Sequence, residues 1–158
     1  MHADLGGELR KEVIGAATEV HRELWPGLLE SAYAACLAGE LSQRGVSFAR
    51  EVRLPVIYKG VELDCGYLMD LVVAERLVVE LKSVEQIMPL HEAQVLSYLR
   101  LSGYELGLLI NFNAVLLKQG LRRYAISSAG SAHQLRRLGI RWLTAALEKR
   151  GWPGQARP

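Results

Sequence analysis

Two apolar runs sit almost back to back in the middle of the chain. They are YLMDLVVA over residues 67–74 and LVVELKSV over residues 77–84, separated only by Glu75-Arg76. Both are short, rich in Val and Leu, and divided by a turn, so they read as two neighbouring strands joined in a hairpin. Their near-continuous apolar character is that of strands buried in a sheet. Three charged residues interrupt it: Asp70 in the first run, Glu80 and Lys82 in the second. Aspartate is depleted in strands, and charged side chains are seldom fully buried. Residues 80 and 82 share a face because strand side chains alternate. A buried Glu–Lys ion pair seldom improves on apolar packing, so three charges in two adjoining apolar strands require a functional cause.

Whether they form one group depends on the hairpin. A loop of residues 74–76 sets Val73 opposite Leu77 and Asp70 opposite Glu80, with Lys82 on the same face. A two-residue loop sets Asp70 opposite Leu81 and turns Glu80 to the other face. A shared site therefore requires the odd-numbered loop or a bulge. Adjacent carboxylates repel each other unless a positive charge lies between them. A hard divalent cation such as Mg²⁺ or Mn²⁺ suits carboxylate and carbonyl oxygens. It polarises a phosphoryl oxygen and lowers the pKa of water, and a nearby Lys orients that water or stabilises charge developing on phosphate. Asp70 and Glu80 are thus the candidate metal ligands, joined by the backbone carbonyl of Leu81, and Lys82 is the candidate catalytic amine.

On the N-terminal side, Leu5, Leu9, Val13, Ala16, Val20 and Leu24 recur at helical spacing. Pro26-Gly27 breaks this helix, a second runs from about Leu28 to Arg44, and Gly45 ends it. Glu30 lies on the face of that second helix defined by Tyr33, Ala34, Leu37 and Leu41, where a carboxylate is costly unless it is paired or binds a cation. The simpler reading is a carboxylate near the helix start, favoured by the dipole and partly wet. The segments VSFAREV and LPVIY read as strands, followed by a turn at Tyr58-Lys59-Gly60-Val61. Pro89 opens a helix from about Leu90 to Ser102, closed by Gly103. His91, Gln94 and Tyr98 share one of its faces. Gln and Tyr can hold a phosphate or a base, while a lone His is more often hydrogen-bonded within the fold. ELGLLINF is a further strand and LRRYAI a short last one. Ser127 to Ser131 reads as a polar linker, and a final helix is expected from about Ala132 to Arg150. The resulting class is α/β: a single domain with a mixed central sheet flanked by helices, plus a C-terminal helix.

Composition sets the outer bounds. The 158 residues suit one domain, and 50% hydrophobic content supports a buried core. No apolar run reaches the roughly 20 residues that span a bilayer, and the start lacks a signal-peptide centre. A cytoplasmic protein is expected, with no membrane partner, and with Cys36 and Cys65 as buried free thiols rather than a disulfide. The net charge of +2 is unevenly spread. Arg136, Arg137, Arg141, Lys149, Arg150 and Arg157 face only Glu148 in the tail, a pattern that fits a solvated helix face or contact with nucleic acid.

Taken together, these segments resemble a known family. GLLESAY, Gly27 to Tyr33, matches the GxxExxY signature of the GxxExxY protein family. Its flanks EVHRELWPGLLE, YKGVELDCGYLMDLVV, VELKSVEQIMPLHEAQVLSYL and LGLLINFN are similar to that family as well, over roughly residues 8–126. The family is placed in the PD-(D/E)XK nuclease superfamily. The resemblance implies a restriction-endonuclease-like core over residues 1–126 and leaves 127–158 as a basic helical extension. It implies Mg²⁺ on Asp70 and Glu80, Lys82 assisting the attacking water, and Glu30 as an extra carboxylate. Gln94 and Tyr98 match the QxxxY pattern of the exonuclease-like branch; Tyr33 and His91 are supporting candidates from their helix faces alone. The expected activity is metal-dependent hydrolysis of nucleic-acid phosphodiester bonds, DNA above all, and a homodimer would suit cleavage of both strands of a duplex. The alternative is a non-catalytic nucleic-acid-binding or assembly module that retains the nuclease fold.

Overall fold

The computed structural model describes residues 5–126. The stripe read from the first segment becomes α1 (Leu5–Leu24), which buries Val13, Ala16, Ala17 and Val20. The second helix, α2 (Glu30–Gln43), starts two residues later than the sequence suggests, because Leu29 is extended and acts as its N-cap. At its other end Gly45 adopts φ 69°. The Gly45 N–H donates to the Ser42 carbonyl and the Val46 N–H to that of Leu41, the Schellman closure that favours glycine.

The strands follow as β1 (Phe48–Arg53), β2 (Val56–Tyr58), β3 (Val61–Leu63), β4 (Leu68–Val73) and β5 (Leu77–Lys82). After α3 (Pro89–Ser102) come β6 (Leu106–Asn111), a 3₁₀ turn at Leu117–Gly120 and β7 (Leu121–Ala125). The main sheet has the order β1-β4-β5-β6-β7. β5 and β6 run parallel and the other neighbours antiparallel, so the sheet is mixed. A parallel pair needs a crossover, and α3 supplies it. On one face α1 and α2 bury Val13, Val20, Leu37 and Leu41 against Leu71, Val73, Val79 and Leu81. On the other, α3 buries Val95, Leu96 and Leu99 against Val72, Val78 and Leu109. Gly107 permits that second layer to close: a Cβ there would stand 3.0 Å from both Leu99 Cδ1 and Val95 Cγ1.

Three expectations need correction. Cys36 and Cys65 are free but exposed; Cys36 lies off the buried α2 stripe of Tyr33, Leu37, Ala38 and Leu41, and Cys65 lies in the loop before β4. The run 67–74 is buried only from Met69 onward, because Tyr67 and Leu68 lie at the exposed end of the strand. The turn read at Tyr58–Val61 is narrower: Tyr58 ends β2 and Val61 opens β3 (Val61–Leu63), and the two strands pair in a separate hairpin. The expected linker at Ser127 and the C-terminal helix lie outside the described residues. No described helix is long and apolar enough to cross a membrane.

Candidate active site

The hairpin between β4 and β5 turns through residues 74–76. Ala74 and Glu75 take φ of 50° and 53°, and the Arg76 N–H donates to the Val73 carbonyl at 3.0 Å. Two successive left-handed residues are what a turn matching strand twist demands. The register is Val73↔Leu77, Val72↔Val78, Leu71↔Val79, so Asp70 falls opposite Glu80. There backbone pairing gives way to side chains. The Asp70 N–H donates to Glu80 Oε1 at 3.3 Å, and the Leu81 N–H donates to Asp70 Oδ2 at 2.8 Å.

The pleat breaks at the same place. Phe48 in β1 and Leu71 in β4 pack with the α1–α2 layer. Val52 and Met69, which strict alternation would keep on that side, pack with α3. Between them Glu51 sits at φ 50°, a conformation that costs a non-glycine residue about 1 kcal/mol. Irregular strand geometry of this kind re-aims side chains, and here it accompanies an Asp70 carboxylate turned onto the β5 backbone.

Glu80 is 2% exposed. Burial pushes its carboxyl up to about 9, and the adjacent Asp70 carboxylate pushes in the same direction. The Asp70 N–H and the Lys82 ammonium oppose the rise without cancelling it. A buried carboxyl pressed against another is a group that a cation would ionise.

Lys82, the last residue of β5, is held by α3. Its Nζ donates to Gln94 Oε1 at 2.8 Å, and Gln94 Nε2 donates to Tyr98 OH at 2.9 Å. An ammonium can only donate, so the amide must present its oxygen to Lys82 and its NH₂ to Tyr98. The Tyr98 oxygen then accepts, leaving its own O–H free to donate. Tyr67 packs edge-on against Tyr98 with ring centroids 6.2 Å apart.

The other sequence candidates lie around this group in different capacities. Glu30 opens α2, where the helix dipole favours a carboxylate, and is exposed as a residue. Partial burial of its carboxyl raises its pKa, Lys82 lowers it and Asp70 raises it; Glu30 therefore feels the site electrostatically. Tyr33 is fully buried and stacked on Phe112 at 4.5 Å and 4°. Its OH donates to the Trp25 carbonyl at 2.5 Å and accepts the Leu28 N–H at 3.1 Å, clamping the turn that leads into Glu30. His91 Nδ1 accepts the Met88 N–H at 3.0 Å, which places it as a cap of α3. Burial and the Lys82 charge hold the His91 pKa down. Sequence reasoning passed over Asn111. It is 3% exposed, and its amide bonds both the N–H and the carbonyl of Val84, fixing the chain just past Lys82. A polar residue inside the apolar run ELGLLINF was the available signal.

A profile of the PD-(D/E)XK nuclease superfamily matches residues 7–124, which takes in every element from α1 to β7. The chain belongs to the PD-(D/E)XK nuclease superfamily. No curated protein and no solved structure matches it. Superfamily members are generally nucleases and typically use divalent metals. Among the described residues no three His, Cys, Asp or Glu side chains form a metal cage, and Glu30 does not complete one with Asp70 and Glu80. Mg²⁺ does not require such a cage: it keeps several waters and binds through one or two carboxylates. The Asp70–Glu80 pair meets that requirement, being two hard-oxygen groups side by side. The Leu81 N–H, which donates to Asp70 Oδ2, ties the β5 backbone to the same pair. The donor set present in this PD-(D/E)XK domain therefore fits a small hard cation.

Proposed function

We propose that this chain is a Mg²⁺- or Mn²⁺-dependent hydrolase of nucleic-acid phosphodiester bonds, with DNA as the favoured substrate. The observation that carries the reading is the facing pair of Asp70 and Glu80, with the Lys82 amine beside it on the same face. Asp70, Glu80 and the Leu81 carbonyl would hold the ion, with Glu30 reaching it through water. When bound, such an ion supplies Lewis acidity toward a phosphoryl oxygen and acidifies water. Lys82, steered by Gln94, orients the attacking water and stabilises charge that develops on the phosphate. Tyr98 offers its O–H to the same region.

The motif of the GxxExxY family has a physical reading that supports the finer placement there. Gly27 sits at φ 115°, which favours glycine. Glu30 then falls at the helix start facing Lys82, and Tyr33 clamps the turn from within the core. Each of the three fixed letters has its own task in presenting one carboxylate.

The test is incubation of the purified chain with Mg²⁺ or Mn²⁺ and single-stranded, double-stranded and branched DNA. Wild type should cleave at least one form, and Lys82→Ala and Asp70→Ala should lose that cleavage. Equal products from wild type and Lys82→Ala on every substrate would refute the reading. Binding to DNA that is undiminished in both variants, without turnover by wild type, would favour a binding module.

A further inference from the structure

Beyond the carboxylate pair, a groove of about 450 Å³ opens between the end of α1 and the segment after β6. Trp25, Val115 and Leu116 line it, with His21, Arg22 and Lys118 around them. Trp25 is 73% exposed and sits at φ 60°. Its N–H donates to the His21 carbonyl, so it occupies the position past a helix where glycine is favoured. Tryptophan there is disfavoured by the backbone by about 1 kcal/mol, and burial gives nothing back. Neither local conformation nor core packing explains this residue.

The groove is tied to the catalytic end of the sheet on both sides. On one side the buried Tyr33 hydroxyl grips the Trp25 carbonyl, and Tyr33 stands one helical turn from Glu30. On the other, the Phe112 N–H donates to the Lys82 carbonyl at 2.9 Å, at the start of the segment that carries Val115 and Lys118. The lining carries positive groups and no acid. Arg22 is paired with Glu19, and His21 and Arg22 also suit the negative end of α1. Lys118 comes from a different segment, the 3₁₀ turn after β6, and makes no ion pair among the described residues. A flat aromatic wall, apolar sides and a cation on the rim suit a nucleobase and its phosphate. Bases inside a duplex are already stacked, so only an unpaired one can use the indole.

We infer that the Trp25 groove binds an unpaired nucleotide of the substrate strand, making single strands or frayed ends the substrate class. This rests on the nuclease reading for the word substrate, but the binding itself does not. Trp25→Gly is the decisive variant, because glycine accepts φ 60° freely and the fold should melt no lower than wild type. In EDTA, fluorescence anisotropy with labelled oligo-dT and with a blunt duplex of equal length separates binding from cleavage. Trp25→Gly should weaken oligo-dT binding by about 5- to 150-fold, the loss of one stacked base, and leave duplex binding unchanged. Trp25→Phe should keep most of the affinity, and Lys118→Ala should lower the salt slope by about one.

Oligo-dT affinity equal to wild type in a folded Trp25→Gly protein would overturn the inference. So would a change in solution mass without a change in oligonucleotide affinity, which would assign the groove to a protein contact. Trp25-dependent binding by a wild type that cleaves nothing would leave this site standing while the catalytic reading fell. Cleavage by wild type, with Trp25→Gly unaffected in affinity and rate, would do the reverse.

Discussion

Glu80→Gln should convert a pH-sensitive protein into one that is less so. In the metal-free fold the Glu80 carboxyl is raised from 4.5 to about 9. Between those values the folded state holds a proton that the unfolded state has released. Stability from this group is therefore complete below pH 4.5 and declines as pH rises through 9. One proton corresponds to a slope of about 1.4 kcal/mol per pH unit, so between pH 5 and pH 8 the loss approaches about 4 kcal/mol. Glutamine is neutral throughout. Its oxygen can still accept the Asp70 N–H, and its NH₂ can donate to Asp70 as the protonated carboxyl does. Urea unfolding in EDTA at pH 5, 6, 7 and 8 reads the difference between the two proteins and cancels the titration of all other groups. The variant should match wild type near pH 5 and gain over it with every unit above. A difference that stays constant across this range would show that Glu80 is not held protonated, and the electrostatic description of the pair would be wrong.

Gln94→Ala releases the Lys82 ammonium from its only described hydrogen bond; cleavage rate should fall roughly ten- to a hundredfold with metal affinity unchanged, as single-turnover kinetics and a metal titration would show. Tyr33→Phe keeps the stack on Phe112 but loses the bonds to Trp25 and Leu28; urea unfolding should register a loss of about 1–3 kcal/mol. Gly107→Ala forces a methyl against Leu99 and Val95, and should lower stability by about 1–3 kcal/mol in the same assay without touching the carboxylates.

The sheet was legible because its strands are short, apolar and punctuated by turns, and the helices because their stripes face one layer. The odd-numbered hairpin loop was the decisive condition for a shared site, and residues 74–76 meet it. The break in the pleat at Glu51 and Asp70 was not legible: it depends on two strands turning over together, and no local pattern encodes that. The clamp by Tyr33 escaped for a similar reason. Its helical spacing marks a core position, but its hydroxyl partners lie in the preceding turn. His91 was grouped with Gln94 and Tyr98 by spacing alone; its ring bonds back to Met88, a local capping contact that helix phase does not distinguish from a role in the site. Cys36 and Cys65 were misjudged because apolar neighbours in sequence do not fix which side of an element faces water.

Mn²⁺ binding to the wild-type chain, followed by equilibrium dialysis or by the paramagnetic signal of the free ion, tests the site most directly. One ion per chain is expected at pH 8, with affinity falling toward pH 6 because the ion must displace the Glu80 proton against a rising proton concentration, and with loss of the ion in both Asp70→Asn and Glu80→Gln. Binding that is indifferent to pH and to both substitutions would mean that the two facing carboxyls do not hold the metal.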